Sequence, residues 1–201
     1  MPATGYPLPL PLPRALRQFC AMALIGLLSM APPAMAADDE ANTYDQDSII
    51  HDATEFFGKS TEGLAKVIEK AFADNGRPTG YIKGQEVSAA ITVGLRYGDG
   101  QLLLKSGAKK RVYWQGPSVG FDLGANASKV FILVYNTTDA NDIFQRFPAI
   151  DGSLYYVGGA GINYQRWNQV VLAPIRLGVG LRAGASIGYM HYTRSKTLNP
   201  L

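Results

Sequence analysis

Few residues in this 201-residue chain have types and spacing that could do chemistry. There are only two histidines, His51 beside Asp52 and Glu55, and His191 near the C-terminus. A metal site needs three or four converging ligands, and neither histidine has a second histidine or a cysteine near it. No serine sits in a recognisable nucleophile motif with a histidine, which leaves hydrolase chemistry without support. The carboxylates Asp139 and Asp142 fit the solvated start of a helical turn. The glycine pairs Gly159/Gly161 and Gly178/Gly180 lack the strand-to-helix context of a dinucleotide fingerprint. The reading is therefore a non-enzymatic protein with no catalytic residue, no metal and no cofactor.

One cluster remains. Lys105, Lys109, Lys110 and Arg111 run directly into Tyr113 and Trp114. Cations beside amphipathic aromatics suit an anionic surface such as lipid phosphate, which implies peripheral contact with a membrane. The competing explanation is an edge hairpin whose lysines prevent sheet-to-sheet pairing.

The elements that would position this cluster follow from periodicity. The stretch Ile175–Tyr192 (IRLGVGLRAGASIGYMHY) alternates with period two, placing Ile175, Leu177 and Val179 on one face and Arg176, Gly178 and Gly180 on the other. Glycines repeated inside a strand imply strong coiling, a bulge or a group packed against the backbone. Further strands are expected at Val87–Tyr97 and Gln101–Lys105 around a Gly98-Asp99-Gly100 hairpin turn, at Arg111–Gln115, and at Ser118–Ala125 opened by Pro117. Ser153–Tyr164 and Gln169–Ala173 form another hairpin around Arg166–Asn168. KVFILVY (Lys129–Tyr135) is apolar on both faces and reads as a central strand buried on both sides. Thr137–Phe147 reads as one or two helical turns capped by Thr138. The fold class expected is mainly β: a small antiparallel β-barrel of about eight strands over 80–193.

A helical segment precedes the strands at 48–76. Ser48 is the expected cap of a helix through Phe57, with Ile49, Ile50, Ala53, Phe56 and Phe57 as its apolar stripe. Ser60 starts a second, in which Leu64, Val67, Ile68, Ala71 and Phe72 recur at helical spacing.

Residues 1–36 read as a signal peptide cleaved after Ala36. Arg14 and Arg17 precede the apolar run Ala21–Met30, which is shorter than the roughly 20 residues of a membrane span, and Ala34-Met35-Ala36 supplies the cleavage pattern. Cleavage removes the only cysteine and two of the 19 basic residues but none of the 16 acidic ones, so the formal net charge falls from +3 to +1. A nearly neutral mature chain is not built to capture nucleic acid. The charge is uneven: Asp38–Glu55 holds seven acidic and no basic residues, whereas five basic and no acidic residues follow Asp151. Residues 37–47 read as a flexible acidic leader, and 48–201 as a single barrel domain.

The blocks RVYWQGPSVGFDLGANASKVFILVYNT, YYVGGAGINYQR and RLGVGLRAGASIGYMHYT together resemble the envelope integrity protein A family. These are exported alphaproteobacterial proteins with a single domain of unknown function. The resemblance implies a soluble periplasmic β-barrel that helps the cell envelope withstand stress. Its expected partner is an envelope component (phospholipid, lipopolysaccharide or peptidoglycan) or a periplasmic protein. GPSVGFDLGANASKVFILVYN also bears a weaker likeness to SYLF-type lipid-binding domains. Two alternatives stand beside this reading: a carrier holding a lipid or other apolar ligand inside the barrel, and an eight-stranded outer-membrane barrel. Against the latter stand the helical segment, the short strands and the absence of a terminal aromatic residue.

Overall fold

Two helices and nine strands make up the architecture, in a computed structural model that describes residues 40–59, 61–122, 127–178 and 188–197. The proposed signal peptide, the first residues of the acidic leader and positions 179–187 of the long glycine-rich stretch lie outside the described residues. Helix α1 spans Gln46–Phe57 and α2 spans Glu62–Asn75. The strands are β1 (Gly80–Leu104), β2 (Lys109–Asp122), β3 (Ser128–Tyr135), β4 (Arg146–Pro148), β5 (Tyr155–Val157), β6 (Ala160–Ile162), β7 (Gln165–Trp167), β8 (Val170–Leu177) and β9 (Tyr189–Thr193).

All nine belong to one antiparallel sheet in the order β4-β9-β2-β1-β3-β8-β6-β5, with β7 also on β8. The sheet curls into a barrel-like form, and an isolated bridge between Ala149 and Gln165 draws the segment after β4 towards β7. Strand β1 is 25 residues long and doubles back on itself. Its first part pairs with β3, from Gly80 opposite Val134 to Glu86 opposite Ser128. Its later part pairs with β2, from Ala90 opposite Asp122 to Leu103 opposite Lys109. The two parts touch where Gly84 meets Gly100 and where the Lys105 N–H donates to the Thr79 carbonyl at 2.9 Å.

Strand β3 explains why the core has two layers. Val130, Ile132 and Val134 point into the barrel, whereas Phe131, Leu133 and Tyr135 point outward beneath the helices. KVFILVY is thus buried on both faces, as its unbroken apolar run implies. Strand β8 repeats the division: Leu172 faces in, and Val171, Ala173 and Ile175 face out. Both helical stripes cover that outer face. Ile49, Ala53, Leu64, Val67, Ile68 and Ala71 are buried, and Ile50, Phe56, Phe57 and Phe72 pack at the margin.

Several local expectations are corrected. Gly98-Asp99-Gly100 is not a turn but lies within β1, opposite Trp114, Tyr113 and Val112. Gly98 is there because the Trp114 indole lies across the strand, so that a Cβ would penetrate its ring; a Cβ at Gly84 would strike the indole edge, and one at Gly100 would strike the Lys83 carbonyl and the Gly84 backbone. The turn comes at Lys105–Ala108, and β2 runs unbroken through Pro117 to Asp122. Helix α1 is capped by Asp45, whose carboxylate accepts from the Ser48 N–H at 2.8 Å; helix α2 is capped by Thr61 rather than Ser60. The expected caps lie three residues too late for α1 and one too early for α2, because cap and first-turn residues share one polar vocabulary. In the loop after β3 it is Thr137, not Thr138, whose hydroxyl donates to the Asp139 carbonyl and the Asp142 carboxylate. The expected Ser153–Tyr164 strand is broken by a turn at Gly158-Gly159, both at positive φ, and the next turn falls at Asn168-Gln169. The acidic leader is already in place at Thr43 and Tyr44. Thr43 is buried and accepts from Arg77, and the Tyr44 N–H donates to the Pro78 carbonyl.

Candidate functional site

The six cationic and aromatic residues singled out from the sequence surround the β1–β2 turn, but the strand pleat divides them. Lys105, Lys109 and Lys110 are exposed at the turn. Lys105 stands over the Tyr44 ring, 4.7 Å from its centre. Arg111 forms an ion pair with Asp99 across the strand pair and lies 5.7 Å from the centre of the Tyr113 ring. Trp114 points the opposite way, into the barrel, and is buried. It is therefore a core residue, and its indole forms part of the inner wall of the cleft that Arg111 and Tyr113 line. Arg111 and Tyr113 line a cleft of about 280 Å³ together with Gln85, Asp99, Thr193 and Lys196.

Inside the barrel Trp114 belongs to a polar cluster that no local motif announced. The Glu86 carboxylate is 5% exposed. It accepts from Arg176 Nε at 2.5 Å and from Arg176 Nη2 at 3.2 Å, a bidentate pair joining residues 90 positions apart. Trp114 Nε1 donates to the same carboxylate at 3.4 Å, and Arg96 Nε lies 3.6 Å from it. Arg176 also reaches Asn163 Oδ1 at 3.2 Å. Nearby, the buried Tyr192 hydroxyl donates to Gln165 Oε1 at 3.0 Å. Burial alone would push the Glu86 pKa up, but the guanidiniums of Arg176 and Arg96 outweigh it and hold the carboxyl below the ordinary range. A carboxylate so held is a poor proton acceptor at neutral pH. The cluster orients strands β1, β2 and β8 around a fixed charge.

Neither histidine joins these groups. His51 is exposed on α1. His191 is half-buried opposite Gln115 and Arg146, and burial, then the Arg146 charge, lowers its pKa. Asp142 is taken up by the Thr137 hydroxyl and Asp139 by Asn141. Among the described residues no three His, Cys, Asp or Glu side chains gather as metal ligands, and no helix is long and apolar enough to cross a membrane.

The model of one protein family, described as envelope integrity protein A, matches residues 42–201. The chain belongs to that family. Its match takes in both helices and every described strand. No curated protein matches the chain. Among solved structures, the family member is similar to a crystal structure described as a beta-barrel-like, uncharacterized protein from Brucella abortus. The two are 41% identical with a TM-score of 0.74, over 80% of this chain and 100% of that one. Family and fold thus agree with the resemblance carried by the strand blocks, and the family's name places its members' role in envelope integrity.

Proposed function

We propose that this protein is exported to the periplasm and supports cell-envelope integrity without catalysing a reaction, by binding an anionic envelope component at its surface. The observation that carries surface binding is the close packing of the interior among the described residues. Ile82, Leu102, Val112, Ile132, Met190 and Tyr192 pack against one another inside the sheet, alongside the Glu86 ion cluster. A carrier would have to displace these side chains, and the 280 Å³ cleft lies at the lower limit of small-ligand pockets. The exposed lysines of the β1–β2 turn and the adjoining cleft are the surface best suited to an anionic partner.

The same packing weighs against an outer-membrane barrel. The outward residues of β3 and β8 are covered by α1 and α2, where such a barrel would present them to lipid. Four strands have three residues each, against the roughly 9–11 of a membrane crossing.

Native mass spectrometry with lipid extraction, on protein released by osmotic shock without detergent, tests this reading. The expected result is an unliganded protein of the mass that begins at Ala37. A stoichiometric co-purifying lipid would instead make the protein a carrier. Failure to release it without detergent would restore the membrane-barrel alternative.

A further inference from the structure

Strand register brings four separate segments to one end of the barrel. Strand β1 begins opposite the end of β3 and finishes opposite the start of β2. Strand β8 begins beside Tyr135, the last residue of β3, and β9 finishes at Thr193 beside Tyr113. The Lys105–Ala108 turn, the 136–145 loop, the β7–β8 tip and the tail after Thr193 therefore emerge together. Side-chain contacts tie them. Asn136 Nδ2 donates to the Gln169 carbonyl at 3.0 Å, and Arg194 donates to Asn141 Oδ1 at 3.2 Å while lying over the Phe144 ring. Ala140 and Ile143 turn inward and close this end of the core.

The charge of this end is net positive among the described residues. Lys105, Lys109, Lys110, Arg77, Arg166 and Arg194 stand with Glu40, Asp45, Asp139 and Asp142; Glu40 pairs with Arg77, and the three aspartates accept local hydrogen bonds. Among these cations the β7–β8 tip presents Trp167, 44% exposed and flanked by Arg166 and Asn168. Asn168 sits at φ 52°, in a tight turn that fixes where the indole projects. An amphipathic ring between cations suits a bilayer interface.

We infer that this end of the barrel is a peripheral docking surface for an anionic phospholipid bilayer, with Trp167 as interfacial anchor and the surrounding cations as headgroup contacts. The inference rests on the proposal that the protein binds an anionic envelope component, and it identifies that component as bilayer lipid. The spread of the charges decides between sources. A single phosphate or sugar acid is held by donors converging on a point, whereas these cations belong to four segments distributed over one end, which matches an extended surface. The protein touches the bilayer end-on, with α1 and α2 on its flank.

The chain has only two tryptophans, and Trp114 is buried, so a vesicle-induced change in intrinsic fluorescence reports on Trp167. The experiment mixes mature protein with vesicles of phosphatidylglycerol and phosphatidylcholine in equal parts, or of phosphatidylcholine alone. The expected result is a blue shift and co-flotation with the anionic vesicles only, both weakening with salt. Trp167→Ala should abolish the shift and weaken flotation about tenfold, and Lys109→Gln/Lys110→Gln/Arg166→Gln should weaken it about tenfold or more. Anionic-vesicle binding that Trp167→Ala leaves intact would overturn end-on docking while sparing the broader reading. Binding to the delipidated sugar–phosphate core of lipopolysaccharide but to no vesicle would overturn the bilayer alone. Binding to neither would remove both.

Discussion

Glu86 is the residue on which the barrel's internal electrostatics depend. One carboxylate lies between two guanidiniums, with Arg176 held bidentately and Arg96 alongside. Removing one member of a buried ion cluster leaves charge without its partner, whereas exchanging the cluster for apolar groups is often near neutral. Glu86→Ala should therefore destabilise by about 3–5 kcal/mol in denaturant melts. Combining it with Arg176→Met should recover part of that loss, and a double variant no better than the single would contradict this account. The depressed pKa sets the acid response. A carboxyl whose folded pKa lies below its unfolded value contributes fully above the ordinary glutamate value of 4.5 and loses that contribution as pH falls through the folded pKa. Asp45 and Asp74 are lowered as well, the first chiefly by the Ser48 N–H and the second chiefly by the Tyr164 hydroxyl. Thermal melts should hold level from neutral pH to about 4.5 and fall below it, with a shallower fall in Glu86→Gln. Equal slopes would mean that Glu86 does not contribute to the acid transition.

At the scale of elements, α2 depends on one small residue. Gly63 faces the β5–β6 turn so closely that a Cβ would strike the Val157 and Gly158 carbonyls, neither of which is the end of a flexible side chain. On propensity alone, Gly63→Ala should favour the helix by about 1 kcal/mol. Contact reverses the sign: the helix must lift off the sheet, and a net loss of about 1–3 kcal/mol is expected. Increased stability would mean that the helix shifts freely. How legible such features were depended on whether their cause was local. Both helices and β3 could be read because their burial follows chain periodicity: two stripes for α1 and α2, and an apolar run for β3. Gly98-Asp99-Gly100 resembles a turn in sequence, but Gly98 answers to Trp114 on the next strand and Gly100 to the first part of β1 at Lys83 and Gly84. The Glu86–Arg176 pair carried no signal at all, since a separation of 90 residues lies beyond any motif. The Lys105–Trp114 cluster was found as a segment, but the pleat that sends Trp114 inward and leaves Arg111 with Asp99 depends on register. The basic excess after Asp151 is visible in the sequence, and only topology brings Arg166 and Arg194 to the lysine-bearing end.

For the whole molecule, the consequence of the two-faced β3 is cooperativity. Phe131 and Leu133 hold the helices while Val130 and Ile132 hold the barrel, and these side chains alternate on a single backbone. Neither layer can lose its packing without displacing the strand that supports the other. Leu133→Ala, on the helix side, and Ile132→Ala, on the barrel side, should each cost about 2–5 kcal/mol, as truncations in close-packed cores do. Each should lower one common transition. Far-UV circular dichroism follows the helices, and the emission of Trp114, read in a Trp167→Phe background, follows the interior. The two signals should melt together in the parent and in both variants. If Leu133→Ala instead releases the helices while Trp114 emission stays native, then α1 and α2 are an appendage. The barrel would in that case be a stable unit without them, and its outward face would be free to receive something other than its own helices.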